Sequence, residues 1–476
     1  MYIDSRVKNG VWLTIYGFDL NNHGRDESIA KIGREKMDNK TTAMVVAVVL
    51  VVLVAAGAYM ILNAGNDGDV DMSSKTDDIR LKIYGNVNGD DAMDSTDLSV
   101  LERLVSDGVS DWKDNYVYAD VDQDGSLTQS DIDLLKKYLD GESMRLYYDD
   151  YWGRVAYVNY PLGDKIGADM SYTIQFTGCV GVYDKMYGSL TGLSMMYDEN
   201  VFPGVSNWVS IGSLFSLTIE SIASSGVDTL ILWSEMLDML PAQKALWEEA
   251  VQSGLADQVS FVMVPVTGTD CDSGALMLGA MYNTEEIVEK SRAYADSVAE
   301  IKTALASIGN SSKKTVTLCY FTETTDQSTI YMSGGGSINM IWPNLAISYP
   351  EGWESLGNVV VGYEGLASAM TDTFVCYFQQ PTGIDRAGTQ AYLETKMQEL
   401  FQNIPAYESG DVYCIDADLL TGIAAPWGAY LLACMLYPDD FSLEHGLELY
   451  QQFIDEFGII STDSADTGFI FIPGSL

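Results

Sequence analysis

Hydrophobic positions fall into four successive patterns along this chain. Ala43 to Leu62 is a run of twenty residues without a charge, long enough to span a bilayer core as a helix. After a polar stretch come two short amphipathic patterns, Leu98 to Val105 and Ile132 to Leu139, each behind a loop rich in Asp and Asn. From about residue 150 onward, buried apolar runs the length of strands alternate with helical patterns, which predicts an α/β fold. Within that region Thr284 to Ile308 carries an unbroken helical period with Ile287, Ala293, Val298, Ile301 and Ala304 as its apolar face and no Pro or Gly inside, so one long helix is expected.

The α/β region repeats itself. Glu220, Ile222, Ala223, Ser224, Asp228 and Thr229 lead into the apolar run Leu230 to Trp233, and Glu364, Leu366, Ala367, Ser368, Asp372 and Thr373 lead into Phe374 to Tyr377. Each copy reads as a polar loop, a short helix opened by an acid that suits its N-terminal dipole, and a buried strand. Two such units predict two similar α/β lobes, and the helix at 284–308 lies between the copies as their bridge.

Lys31, Arg34, Lys36 and Lys40 precede the apolar span while Asp67, Asp69 and Asp71 follow it. The charge bias orients the N-terminus to the cytoplasm and everything after residue 65 to the outside. A single-pass, uncleaved anchor in the cell membrane is expected, with the bulk of the chain extracellular. Met37, followed by Asp-Asn-Lys, is a plausible true start. The expected division is a cytoplasmic segment 1–42, an anchor 43–62, a flexible linker 63–80, a loop-helix module 81–142, a first lobe 146–283, the bridge 284–308, a second lobe 309–460 and a tail 461–476.

In the loop-helix module, Asn86, Asn88, Asp90, Asp94 and Asp97 occupy positions 1, 3, 5, 9 and 12 of a twelve-residue loop, and Asp120, Asp122, Asp124, Thr128 and Asp131 do so in a second. Alternating oxygen ligands suit a hard cation that takes six to eight oxygens, with the position-7 carbonyls of Ala92 and Ser126 completing each shell. Calcium is the expected ion. The duplicated loop and helix, with Asp at position 12, resembles a type I dockerin, a small all-α module that binds cohesins; Ser95, Thr96, Gln129 and Ser130 stand at the positions that often set partner choice there. The first loop departs from the pattern in having Asp91 where Gly is usual and Asn86 where Asp is usual.

Composition narrows the function. A net charge of -42, from 68 acids and 26 bases, leaves no basic stripe to neutralise phosphates and argues against nucleic acid. The six cysteines are scattered, without a CxxC pair, and read as buried thiols. With only His23 and His445 present, a histidine zinc cluster or a Ser-His-Asp triad has almost no material. No catalysis is expected.

Two lobes joined by one long helix resemble the class III substrate-binding proteins of ABC importers, the family that handles ferric siderophores, haem and vitamin B12. The resemblance covers about 300 residues. Tyr151 to Pro161 looks like its N-terminal hairpin, Lys165 to Met170 like the first strand and Ser171-Tyr172-Thr173 like a ligand loop. Leu190 to Ser194 looks like the second strand, with a contact loop at Met195 to Tyr197, and Ala425 to Gly428 like the closing loop. Ligand contacts are expected at strand ends facing the cleft: Ser171, Tyr172, Thr173, Tyr197, Leu214, Phe215, Trp233, Gly335, Tyr377 and Trp427. In the vitamin B12-binding member a glutamate on each lobe docks onto permease arginines, and Glu220 and Glu364 stand at the matching places. The expected protein is a membrane-tethered receptor that delivers a metal chelate to an ABC permease. A dockerin-bearing surface-assembly protein or a secreted hydrolase is the alternative, since dockerins commonly carry hydrolases and acids are plentiful.

Overall fold

In the computed structural model, the described residues are 12–13, 470–471 and 79–459 apart from 194–196, 198, 200, 214–216, 238–243, 310–313, 322–325, 327, 329, 334–345, 348–357, 369–372, 379–385 and 403–404. They belong to one compact unit. The expected span 43–62 lies outside them; among the described residues no helix is long and apolar enough to cross a membrane.

Each Asp/Asn-rich loop ends in a capped helix. Helix α1 (Ser95–Asp107) is capped by Asp94 and α2 (Gln129–Leu139) by Thr128. In both, the acid three residues into the helix, Asp97 or Asp131, answers the cap's backbone N–H, which is a capping box. Val100, Leu101 and Leu104 of α1 are buried, as are Ile132, Leu135 and Tyr138 of α2, within the two helical ranges that the sequence predicted.

A two-stranded hairpin follows, β1 (Met144–Asp149) with β2 (Val155–Tyr160). The first lobe then builds β3 (Ile166–Ala168), helix α3 (Ser171–Cys179), β4 (Met186–Ser189), β5 (Val209–Ser210), α4 (Ile219–Ser225), β6 (Thr229–Ile231), α5 (Leu246–Ser253) and β7 (Ser260–Val262). All five sheet strands are parallel, in the order β5-β4-β3-β6-β7. The chain therefore reverses its direction of winding at β3 and β6, and the carboxyl ends of those strands form the switch point where such sheets open a crevice. Two expectations shift here. The second strand is Met186–Ser189, ahead of Leu190 to Ser194, and Ser171 to Thr173 open a helix rather than a loop because the Thr173 hydroxyl takes the Met170 N–H at 2.9 Å.

Helix α6 (Cys271–Tyr282) leads out of the first lobe with every residue buried, and it packs along the bridging helix α7 (Glu285–Ala306). Their approach depends on Gly279, where a Cβ would lie 2.6 Å from the Ser291 hydroxyl oxygen. The expected long helix is there, but its seam differs: Ile287, Ser291, Tyr294, Val298, Ile301 and Leu305 are buried, whereas Ala293 is exposed and Ala304 only half-buried. Steps of four and three residues keep the true seam on one face.

The second lobe contains β8 (Thr315–Phe321), β9 (Tyr331–Ser333), β10 (Asn358–Val360), α8 (Gly362–Ser368), β11 (Phe374–Phe378), α9 (Arg386–Phe401) and β12 (Val412–Asp416). Its order β10-β9-β8-β11-β12 matches the first lobe's, strand for strand. The polarity does not match, since β9 runs antiparallel to both β8 and β10. Residues 322–330 between β8 and β9 are too few for the dozen or more that a parallel crossover needs. Both repeat copies take the same form, a seven-residue helix followed by an inner strand, α4 to β6 and α8 to β11.

Helices α10 (Ala425–Leu436) and α11 (Leu443–Phe457) close the chain's last layer. Tyr294 of α7 is fully buried where they meet: its hydroxyl donates to the Ile423 carbonyl at 3.0 Å and its ring lies 5.4 Å from Phe457, 5.7 Å from Trp427 and 6.5 Å from Phe176 of α3. Beyond α11, Ile459 presses on Gly178 of α3. The lobes are thus joined by α7 and, in addition, by the α11 end that reaches back to α3.

Trp12–Leu13 pairs antiparallel with Ile470–Phe471, which in turn pairs with β12.

Candidate functional site

At the switch point the chain places an acid directly after β3. Asp169 is buried, and its carboxylate accepts the Trp233 backbone N–H at 3.0 and 3.1 Å and the Thr173 hydroxyl at 3.0 Å. Trp233 follows β6, so this one carboxylate holds the ends of two neighbouring strands together. Burial pushes Asp169 up to about 7 despite the lowering effect of those donors. The Trp233 indole N–H donates to Thr267 at 3.0 Å, and the Tyr172 ring stands edge-on to Trp233 at 4.9 Å.

Glu235 sits two residues on. One of its oxygens accepts the backbone N–H groups of Val266 at 2.9 Å and Thr267 at 2.7 Å; the other is buried without a hydrogen-bond partner among the described residues. Burial, opposed by the Thr267 and Val266 N–H groups, pushes it up to about 7. At the carboxyl ends of β3 and β6 two buried acids thus tie the chain together beside an edge-on aromatic pair, at the place where such sheets open a crevice.

Of the expected ligand residues, Ser171, Tyr172, Thr173 and Trp233 meet here. Thr173 is fully buried and serves the backbone and Asp169. Tyr197 lies past β4 in a second aromatic group, 5.0 Å from Phe202. Tyr377 is within β11, in register with Tyr320 and Ile415. Leu214, Phe215 and Gly335 lie outside the described residues. Trp427 is a correction: it opens α10 and is 2% exposed, packed 4.4 Å from Phe453, so it belongs to the helical layer behind the sheets and not to a closing loop. Sequence reading missed Asp169, Glu235 and Thr267; the available signal was a lone acid immediately after a buried strand.

Glu220 and Glu364 are both exposed in the first turns of α4 and α8, at matching places in the two lobes.

In the second twelve-residue loop, the carboxylates of Asp120, Asp122 and Asp124 bring ligand oxygens within 4.8 Å of one another, and Gly125 takes φ 89° at the sharp turn. Asp131 fixes the loop's exit by accepting the N–H groups of Val121 and Thr128, each at 2.8 Å. The first loop has the same frame, with Asp97 accepting from Asn88 at 3.1 Å and Asp94 at 2.9 Å. Asn86 is 1% exposed, and its Oδ1 is buried with no hydrogen-bond partner among the described residues. A buried oxygen without a donor at ligand position 1 fits a cation. Burial, with Asp90 and Asp94 nearby, pushes Asp97 up to about 7, although the Asp94 and Asn88 N–H groups lower it.

Residues 84–140 match the dockerin type I domain family. No curated protein matches the chain in sequence. Among solved structures, a TroA-like periplasmic binding protein, FepB from Veillonella parvula, is 13% identical with a TM-score of 0.53, covering 69% of this chain and 99% of its own. A periplasmic heme binding protein from Pseudomonas aeruginosa is 17% identical over 58% of this chain and 93% of its own, with a TM-score of 0.38. The iron uptake substrate-binding protein PiuA from Streptococcus pneumoniae is 13% identical over 63% of this chain and 94% of its own, with a TM-score of 0.39. The chain thus carries a dockerin type I domain ahead of a bilobed domain with the TroA-like periplasmic binding protein fold.

Proposed function

We propose that the bilobed domain is the solute-binding component of an ABC importer for a metal chelate such as an iron siderophore, haem or corrinoid. The observation that carries this reading is the switch point: Tyr172 and Trp233 pack edge to face at the carboxyl ends of the strands where the winding reverses, and Asp169 holds the Trp233 backbone there. Aromatic faces give a flat chelate a large apolar contact at small entropic cost. The ties through α7 and α11 favour a largely preformed cleft with small rocking motions. Exposed Glu220 and Glu364, one per lobe, would be read by the paired arginines of a two-fold permease. The dockerin loops would hold calcium, and residues 43–62 would anchor the protein to the membrane with the lobes outside.

The test is a fluorescence titration of the full chain with cobalamin, haem and a panel of ferric siderophores. Saturable quenching by one of them at micromolar affinity or better supports the receptor and names its cargo class. Silence across the panel, together with capture of a cohesin, would move the protein to the surface-assembly role.

A further inference from the structure

The dockerin domain does not hang from the bilobed domain by a tether; it is built into it. Ile83 bridges to Tyr148 of β1, the Tyr84 N–H donates to the Tyr147 carbonyl at 3.0 Å, and the Asp149 N–H donates to the Lys82 carbonyl at 3.0 Å. At the other end of the domain, the Tyr138 hydroxyl of α2 donates to the Ala280 carbonyl of α6 at 3.0 Å. Arg80, expected at the end of the flexible linker, is instead fixed between three elements.

The position-6 residue of the first loop explains how. In the second loop this place is Gly125 in the left-handed region; in the first it is Asp91, which lies outside that region and turns its carboxylate to Arg80. The pair is bidentate, with Nη2 to Oδ2 at 2.5 Å and Nε to Oδ1 at 3.1 Å, the geometry that makes an arginine–carboxylate contact specific. The same guanidinium reaches Asp272 of α6 at 3.4 Å, the Ala295 carbonyl of α7 at 3.2 Å and Asp296 of α7 at 3.6 Å. Asp272 is almost fully buried and takes Lys302 of α7 at 2.8 Å on its other oxygen. Asp91 lies between Asp90, a ligand position, and Ala92, whose carbonyl is another, so a cation in the loop fixes Asp91 from both sides.

We propose that the first dockerin loop is a calcium-operated latch on the bridging helix: ion binding orders residues 86–97, Asp91 then holds Arg80 against Asp272 and Asp296, and the helix that joins the two lobes is stiffened. The inference needs only the calcium fit of the loop, not the identity of any transported solute. Asp91 is here a positioning residue, and the departure from glycine acquires a use.

Hydrogen–deuterium exchange of the full chain, with calcium chloride against EGTA and without any transport ligand, tests it, alongside calorimetric counting of bound calcium. Two calcium ions should bind, and calcium should slow exchange in residues 285–306 about tenfold, the scale of a lost charge-assisted contact. Asp91→Gly restores the turn residue that the second loop already uses; it should still bind two ions yet lose most of that protection. Arg80→Gln, which leaves the loop untouched, should lose the same protection from the opposite side. The latch is overturned if calcium binds the wild type without slowing α7, if either variant keeps the full calcium-dependent protection, or if only one ion binds.

Discussion

The Asp169 carboxylate offers the sharpest test of how the switch point is held. It is fully buried, and burial raises it to about 7, so the folded protein keeps a proton that the unfolded chain, with an ordinary aspartate near 3.9, releases. The sign follows: below pH 4 both states are protonated and the contribution is fully present; as pH rises toward 7 the folded state holds more protons than the unfolded, and stability falls. Each unit of pH in that window costs at most about 1.4 kcal/mol for this one group, so moving from pH 5 to pH 8 removes about 2–3 kcal/mol, or roughly 5 °C in Tm for a domain of this size. Asp169→Asn mimics the protonated acid, keeps an oxygen for the Trp233 N–H, and should give a thermal stability curve flatter than wild type by that amount. Thermal unfolding followed by tryptophan fluorescence in calcium buffer at pH 5, 6, 7 and 8 reads it directly, with the loop carboxylates held by the ion in both proteins. Parallel curves for the two proteins, or a wild type that gains stability relative to the variant toward pH 8, would refute the reasoning.

Other consequences follow from the same contacts. Glu220→Ala with Glu364→Ala should abolish stimulation of the permease's ATPase in reconstituted vesicles while solute affinity, read by fluorescence, stays unchanged; retained stimulation would remove the docking role. Tyr294→Phe leaves the buried Ile423 carbonyl without its donor and should cost about 1–3 kcal/mol in denaturant unfolding; a change under about 0.5 kcal/mol would mean that the tie between the lobes lies elsewhere. The two dockerin loops should titrate unequally, since Asp120, Asp122, Asp124 and Asp131 bring four carboxylates where Asn86, Asn88, Asp90, Asp94 and Asp97 bring three with two neutral amides; equal calcium affinities by calorimetry would contradict this. N-terminal sequencing of the native protein should find Met37 as its first residue; a start at Met1 would remove that reading.

Periodic and spaced features were legible in one dimension because they are local. The twelve-residue loops, the duplicated helix and strand, and the unbroken bridging helix each depend on residues within a few turns of one another, and all three stand in the structure at the expected places. Even so, Thr173 turned a predicted loop into a helix start with one hydroxyl, and the seam of α7 shifted by one residue from Ala293 to Tyr294. Which buried face meets which was not legible. Trp427 has the composition of a ligand contact and the surroundings of a core residue. Asp169 acquires its function only when β6 brings Trp233 beside it from 64 positions away, and Arg80 only when α6 and α7 bring Asp272 and Asp296 to it from about 200. An amphipathic pattern records that a surface will be covered, whereas the partner that covers it is chosen by strand order and helix packing. In this chain the switch-point site and the calcium latch both arise at such long-range meetings.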